Sequence, residues 1–367
     1  MRTLDSVSFL ARPARQTRLA RYFLACYLLI ILIVSLYPFS GWRDLGTPVF
    51  SFLTDPLPHY YTAVENGMNV LAYLPIGFCI VLLRGRFVSG VLLALLAGAG
   101  LSASIEWTQQ FLPSRIASNL DLLCNASGAL TGGLLVWPFL HPRWQGRWLA
   151  LRYLWFAPGA AIEWGLAWLL LWFVTQFDPS QPFLGVVVQP RGLPQPFESP
   201  IANAALFLRL LEAMGMMLNF LGVALFVSVL VRHARQIPRA VLLTLLLAFS
   251  IKIVFAGMLL KPAQFFAWLN SSVIWGGLAG LAILSLVWRL RRTYRALLGA
   301  LTLAAAMLVS MFWPLSAPFS SLLPLFRWQY GHLQHLGGLA DIIGEIWPVA
   351  AIVWLLYIAL RKPVHNW

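Results

Sequence analysis

The chain is built mainly from runs of apolar residues that are long enough to cross a lipid bilayer. Of its 367 residues, 60% are hydrophobic and 10% are charged, whereas a soluble globular domain has about 25% charged residues. Backbone polar groups inside lipid must pair within their own segment, so each apolar run is expected to be a helix. The sequence therefore predicts an all-α, polytopic helical membrane protein.

The apolar runs predict about ten transmembrane helices. A helix needs about 20 residues to span the hydrocarbon core, with a usual range of about 17–25. The predicted spans are residues 20–38, 68–83, 88–111, 119–139, 150–175, 207–231, 239–260, 265–288, 296–314 and 341–360. The basic N-terminus, residues 1–19, leads into the first span and is predicted to form an uncleaved signal-anchor with it.

The basic residues follow alternate connections between these spans. Nineteen of the 26 Lys and Arg residues lie on the same side as the N-terminus, and five lie on the other side. Because positively charged loops stay in the cytoplasm, we predict a multi-pass protein of the cell membrane with both termini cytoplasmic. The net charge of +14 then suits anionic lipid at the inner leaflet. Basic residues spread over many loops do not predict nucleic-acid binding, so the predicted partner is the lipid bilayer.

Comparison of the sequence with itself predicts a degenerate 4+4+2 repeat whose copies share one orientation. Asn69 corresponds to Asn219 at an offset of 150, and Asn125 corresponds to Asn270 at an offset of 145. The predicted domains after the N-terminus are a four-helix membrane unit at residues 20–140, a degenerate second four-helix unit at 141–290, and two C-terminal helices at 291–367. The last two helices are a candidate for a partial third copy.

A set of polar side chains lies within or beside the apolar segments of the first unit. It comprises Asn69, Glu106, Gln109, Gln110, Arg115, Asp121 and Asn125. A charged residue inside a bilayer costs about 2.5–3.5 kcal/mol on insertion scales and usually faces a bundle interior or a watery cavity. In the predicted topology the set lies near the extracytoplasmic face, with Asp55 and His59 in the outer loop beside it. Lys252 aligns with Glu106 in the second copy, so we predict that only the first unit keeps a site.

The polar residues of this set are expected to pair with one another. Arg115, in the turn between the third and fourth spans, can hold a carboxylate or a phosphate through two parallel hydrogen bonds. Its expected resting partner is Glu106 or Asp121, since buried charges are usually paired. Asn69 and Asn125 are expected to form hydrogen bonds across helices.

Further residues are predicted to shape the first unit without binding a ligand. Gly128 and Gly132, on the fourth span, allow a neighbouring helix to approach closely. Pro75 frees a carbonyl group inside the second span, and another group must satisfy that carbonyl. Gly77 follows two residues later in the same span.

These residues carry a resemblance to a known family. The matching stretches run from Asp55 to His59, from Asn69 to Gly77, from Ser102 to Gln109 and from Arg115 to Gly128. In this order and spacing they resemble the VanZ-like membrane protein family, over roughly residues 20–140. The family is named for a protein linked to low-level teicoplanin resistance, so the resemblance implies a membrane location and a tie to the cell envelope. It implies no particular reaction.

The chain departs from the family pattern at two places. Ser118 and Asn119 stand where a further acidic residue is common, and Pro56 stands where a Lys is common. Residues 141–367 extend beyond the family unit.

Three functions are open at this point. The first is a non-enzymatic envelope protein whose outward-facing polar pocket binds or screens a glycopeptide or a lipid-linked ligand. The residues of that pocket would be Asp55, His59, Asn69, Glu106, Gln109, Arg115, Asp121 and Asn125. The second is an enzyme or transporter acting on a lipid-linked sugar or phosphate, with Glu106 or His59 as the acid/base group and Arg115 as the charge stabiliser. The third is a structural scaffold. The sequence contains no phosphate loop, zinc motif or cofactor motif, so neither a cofactor nor a metal is predicted.

Overall fold

The computed structural model describes residues 18–44, 46, 48, 50–56, 63–180, 183–184, 200–313, 325–327 and 331–361. Within these ranges the chain forms eleven α-helices and no β-strand. The prediction of an all-α fold is therefore confirmed. His59, one of the predicted site residues, lies outside the described residues.

The chain divides into two compact units, residues 1–154 and 155–367. The first unit holds α1 (Leu19–Leu36), α2 (Ala63–Arg84), α3 (Phe87–Gln109), α4 (Asn119–Leu135) and nearly all of α5 (Pro142–Trp155). The second unit holds α6 (Ala160–Val174), α7 (Ala204–Leu230), α8 (Ile237–Leu259), α9 (Ser271–Val287), α10 (Arg292–Phe312) and α11 (Gly331–Leu360). The domain boundaries drawn from the sequence after residues 140 and 290 stay predictions.

Eight segments of the described chain are long and apolar enough to cross a membrane. They correspond to α1, α2, α3, α6, α7, α8, α10 and α11. Helices α4 and α9 have 17 residues each, which is the lower limit of about 17 residues for a span. Eight candidate spans in the described residues are fewer than the ten predicted, and they are consistent with a polytopic helical membrane protein.

The fifth predicted span, residues 150–175, is wrong as a single helix. Helix α5 ends at Trp155 and α6 begins at Ala160. Pro158 has no backbone N–H and disfavours helical geometry in the residue before it. Gly159 has a φ of 117°, a conformation that residues with a side chain rarely adopt. The Pro-Gly pair therefore interrupts the apolar run, and only α6 remains as a span.

The helices of the first unit alternate in direction. Helices α2 and α4 run parallel, since Gly128 lies against Val70 and Gly132 lies against Leu74. Helix α3 runs the opposite way, because only Gly85 and Arg86 separate its start from the end of α2. One end of the unit, called here the polar end, comprises residues 34–37, 65–69 and 106–121. The opposite end, called the basic end, comprises residues 18–21, 84–87 and 135–147.

Glycines allow α2 and α4 to pack backbone against backbone. A Cβ atom at Gly132 would lie 1.9 Å from the carbonyl oxygen of Leu74, and one at Gly128 would lie 2.2 Å from that of Val70. From the other helix, a Cβ at Gly77 would lie 1.8 Å from the carbonyl oxygen of Ala129. No side chain fits at these distances, so the helix pair depends on glycine at all three positions.

In the second unit α7 takes the central position. Most of its length is buried, and it packs against both α9 and α10. Gly276 and Gly280 of α9 face α7, where a Cβ at Gly276 would lie 2.3 Å from the carbonyl oxygen of Ala213. Helix α11 packs against α10 and α6. The close contact between a glycine face and a neighbouring helix thus occurs in both units.

Candidate functional site

The polar end of the first unit gathers side chains from three helices and the turn between two of them. The first contact joins the parallel pair α2 and α4: the amide Nδ2 of Asn69 donates a hydrogen bond of 2.8 Å to Oδ1 of Asp121. Asp121 lies in the first turn of α4, where the positive end of the helix dipole favours a carboxylate. An amide and a carboxylate therefore connect the starts of the two helices.

A second contact joins the end of α3 to the start of α4. Glu106 is 2% exposed, and its Oε2 accepts a hydrogen bond of 2.8 Å from the backbone N–H of Ser118. The hydroxyl of Ser118 in turn accepts from the N–H of Leu120 and caps α4. The role of Ser118 was not predicted from the sequence, although a Ser directly before an apolar helical run is a recognised N-cap signal.

A third contact lies deeper in the helices. Asn125 of α4 donates a hydrogen bond of 2.9 Å to the hydroxyl of Ser102 on α3, and both residues are buried. Oδ1 of Asn125 is also buried and makes no hydrogen bond within the described residues, and the phenol of Tyr73 is buried beside Ser102. Ser102 and Tyr73 were not predicted as site residues, because a single Ser or Tyr in an apolar helix has no distinctive sequence signal.

Arg115 and Gln109 bind the end of α1. A terminal nitrogen of the Arg115 guanidinium donates to the backbone carbonyl of Val34, and Gln109 donates a hydrogen bond of 2.9 Å to that of Ser35. Carbonyls at a helix C-terminus are the negative end of its dipole and lack partners within the helix. Both side chains therefore close the C-terminus of α1.

The surroundings of Arg115 differ from the expected ion pair. Its guanidinium donates a hydrogen bond to a backbone carbonyl, while the charges of Glu106 and Asp121 act on it from nearby. Burial lowers the pKa of the Arg115 guanidinium, and the two carboxyl groups oppose that shift. The Nε atom of Arg115 is buried and makes no hydrogen bond within the described residues. Within the part of the chain that the structure describes, this Nε–H group has no hydrogen-bond acceptor.

The loop before α2 reaches the same end of the unit. Asn119 donates a hydrogen bond of 2.7 Å to the backbone carbonyl of Asp55, while the side chain of Asp55 is exposed. Gln110 lies 3.4 Å from the hydroxyl of Ser51. The structure thus brings Asp55 beside the start of α4 through its backbone, and a binding role for its carboxylate stays a prediction.

The second unit has a related contact with exchanged partners. Asn270, which caps α9, donates a hydrogen bond of 2.6 Å to Oε1 of Glu212 on α7. Here the carboxylate is on the earlier helix and the amide is at the later one, the reverse of Asn69 and Asp121. Asn219, the predicted counterpart of Asn69, donates instead to the carbonyl of Gly215 in its own helix. The predicted duplication stays a prediction.

Lys252 of α8 is a buried cation in the second unit. It is 1% exposed, and its ammonium donates to the backbone carbonyl of Asp178 just after α6. The carboxylate of Asp178 accepts hydrogen bonds from the N–H and the hydroxyl of Ser180. Lys252 therefore binds the chain beyond a helix C-terminus, much as Arg115 does in the first unit.

The side chains at the polar end include both hydrogen-bond acceptors and a hydrogen-bond donor. Glu106 and Asp121 can accept hydrogen bonds, and Arg115 can donate one from Nε to an anionic or neutral oxygen. Within the described residues, no group of three or more His, Cys, Asp or Glu side chains is placed to hold a metal ion.

Comparison with protein-family models matches residues 10–141 to the family described as VanZ/LLP1. The matched segment contains α1 to α4 and every residue of the polar end. It confirms the resemblance in the first 140 or so residues, and the remaining residues lie beyond it. Comparison with curated proteins and comparison with solved structures each give no match. The chain is therefore a multi-pass membrane protein whose residues 10–141 are similar to the VanZ/LLP1 family.

Proposed function

We propose that the VanZ-like domain binds, without turnover, the headgroup of a lipid-linked cell-envelope precursor of the sugar-phosphate class. The binding site is the polar end of the first unit, facing the outside of the cell membrane. The distribution of basic residues supports this orientation, because the loops at the opposite end carry most of the positive charge. The resemblance to a family associated with a glycopeptide antibiotic supports a ligand from the cell envelope.

The free donor on Arg115 carries the proposal. Buried N–H groups are nearly always hydrogen-bonded in native proteins, yet Nε of Arg115 makes no hydrogen bond within the described residues. The contact with Val34 fixes the guanidinium and leaves Nε available to a phosphate oxygen. Burial lowers the pKa of the guanidinium, and the nearby carboxyl groups of Glu106 and Asp121 oppose that shift and favour its charged form.

The two carboxyl groups decide which anion fits. Glu106 and Asp121 would repel a bare phosphate, although the N-terminus of α4 offsets about half a unit of negative charge. A sugar phosphate offers hydroxyl donors to the carboxylates and phosphate oxygens to Arg115 at the same time. Outward-facing headgroups of this class also lie at the depth of the polar end, between the acyl chains and the water.

The test is direct binding to the purified full-length protein in nanodiscs. The probes are a polyprenyl phosphate carrying a sugar, the same polyprenyl phosphate without the sugar, and teicoplanin. We expect the sugar-bearing lipid to bind best. Arg115→Ala should weaken that binding by at least tenfold, since a hydrogen bond to a charged group contributes about 1.5–3 kcal/mol.

Arg327→Ala is the matched control for this test. Arg327 also donates from its guanidinium to a backbone carbonyl, that of Leu260, in the second unit, so its loss should leave ligand affinity unchanged. Arg115→Lys keeps the charge and should retain part of the affinity. Unchanged binding by Arg115→Ala, or preferential binding of teicoplanin by the wild type, would overturn the proposal. Conversion of the lipid during incubation would indicate an enzyme instead.

A structural scaffold is the second candidate, and a specific observation favours it. Three hydrogen bonds join helices or helix ends of the first unit. They pair Asn69 with Asp121, Ser118 with Glu106, and Asn125 with Ser102. Such bonds contribute about 0.6–2 kcal/mol each in membranes. If assembly were their only role, substitutions at Arg115 and Glu106 would lower the melting temperature and leave the affinity of the folded fraction unchanged.

A further inference from the structure

Helix α5 cannot span the membrane, although it directly follows the end of α4. It has 14 residues, and at about 1.5 Å per residue it is about 21 Å long, shorter than a hydrocarbon core of about 30 Å. Trp144, Trp148 and Leu151 follow each other at intervals of four and three residues, so they share one helix face. Their exposed fractions are 47%, 52% and 49%. The helix therefore presents an apolar face that is about half exposed among the described residues.

Two arginines flank this apolar face. Arg143 and Arg147 are four residues apart on α5, and both are exposed. The guanidinium of Arg147 lies over the ring of Trp144, 5.5 Å from its centroid. The sequence contains no Asp or Glu between residues 122 and 162. The positive charge at this helix is therefore not offset by acidic neighbours in the same stretch of chain.

A cavity of about 700 Å³ lies beside the two arginines. Its lining consists of Trp137, Pro138, Leu140, His141, Pro142, Arg143, Trp144 and Arg147. Trp137 packs edge-on against Phe87 with ring centroids 4.7 Å apart, and Phe139 packs against Trp148 at 6.1 Å. These ring contacts hold the turn between α4 and α5 in place. The cavity thus combines aromatic walls with two guanidinium groups.

We infer that this cavity binds the headgroup of an anionic phospholipid of the surrounding bilayer. Its phosphate contacts Arg143 and Arg147, and α5 lies along the membrane surface with Trp144, Trp148 and Leu151 turned towards the acyl chains. Three properties select this occupant: Trp side chains favour the boundary between headgroups and hydrocarbon, guanidinium groups match phosphate in geometry and charge, and amphipathic helices rich in Trp and Arg bind anionic interfaces. This site lies at the basic end, opposite the proposed ligand site, and does not depend on it.

Native mass spectrometry of the full-length protein tests the inference. The protein is released from nanodiscs that contain equal amounts of phosphatidylglycerol and phosphatidylcholine, and the retained lipid is identified. We expect the wild type to retain phosphatidylglycerol in preference to phosphatidylcholine. The double variant Arg143→Ala/Arg147→Ala should retain about 25-fold less phosphatidylglycerol, since each basic residue near an anionic surface contributes about fivefold.

Matched variants make the result decisive. Arg289→Ala/Arg291→Ala removes the same charge from the second unit, where Arg289 also lies over a Trp ring at 5.0 Å, and should leave the tightly retained lipid unchanged. Arg143→Lys/Arg147→Lys keeps the charge and should keep most of the lipid, which guards against a variant that fails to fold. The inference would be overturned if both alanine pairs lost the same amount of retained phosphatidylglycerol, or if the wild type retained the two lipids equally. Displacement of the retained lipid by millimolar inorganic phosphate would also overturn it.

Discussion

The two units of this protein use a similar helix contact and differ in the charged groups placed beside it. In the first unit Gly128 and Gly132 bring α4 against α2, and in the second Gly276 and Gly280 bring α9 against α7. Val70 and Ala213, which face the first glycine of each pair, are 143 positions apart. An amide–carboxylate hydrogen bond lies at the start of each helix pair.

The difference lies in the antiparallel helix that joins each pair. In the first unit α3 packs along both α2 and α4, and its end supplies Glu106 to the start of α4. In the second unit α8 packs mainly against α7 and the turn after α6, and its polar residue is the buried Lys252. Close helix packing therefore does not by itself produce a site. The first unit is distinguished by a charged segment, residues 106–121, which includes the end of α3, the turn after it and the start of α4, beside the packed pair.

The largest expected effect comes from filling the glycine contact. Gly132→Ala places a methyl group 1.9 Å from the carbonyl oxygen of Leu74, and backbone cannot move aside as a side chain can. We expect a loss of at least about 3 kcal/mol in the free energy of unfolding. Gly280→Ala meets a ring carbon of Phe220 at 2.7 Å and should cost about 1–2 kcal/mol, because that ring can turn.

Thermal unfolding in detergent measures both effects. Gly100→Ala is the control, since nothing lies within 4 Å of a Cβ at this position and alanine favours the helix by up to about 1 kcal/mol. Equal losses of unfolding free energy for Gly132→Ala and Gly280→Ala would contradict the expected difference between a backbone contact and a contact with a movable ring.

A smaller effect is expected from exchanging the amide and the carboxylate. Asn69→Asp alone sets two carboxyl groups against each other and should cost about 1–3 kcal/mol. The double variant Asn69→Asp/Asp121→Asn reproduces the order of Glu212 and Asn270 in the second unit, and it should recover most of that loss. A double-mutant cycle, with Asp121→Asn measured alone, gives the coupling energy. A double variant no more stable than Asn69→Asp would show that the two contacts are not interchangeable.

Much of this architecture could be predicted from the sequence. Apolar length predicted the eight candidate spans found in the described residues, because a helix must cross a bilayer of fixed thickness. The break in the fifth predicted span was missed, although Pro158 and Gly159 stand together inside that run. The polar set was found because charged and amide side chains are rare in apolar helices. Its acceptors, among them the carbonyl of Val34, could not be predicted, because every residue has a backbone carbonyl and only the fold selects one.

The most direct test of the proposed site is the ligand preference of Glu106→Gln. Glutamine keeps an oxygen that accepts from the N–H of Ser118, so the free energy of unfolding should change by less than about 1 kcal/mol. The charge that favours sugar hydroxyls is lost while Arg115 remains. We therefore expect the affinity for the sugar-bearing polyprenyl phosphate to fall about tenfold, and that for the sugar-free lipid to stay equal or rise. A stable Glu106→Gln variant with the preference of the wild type would contradict the account.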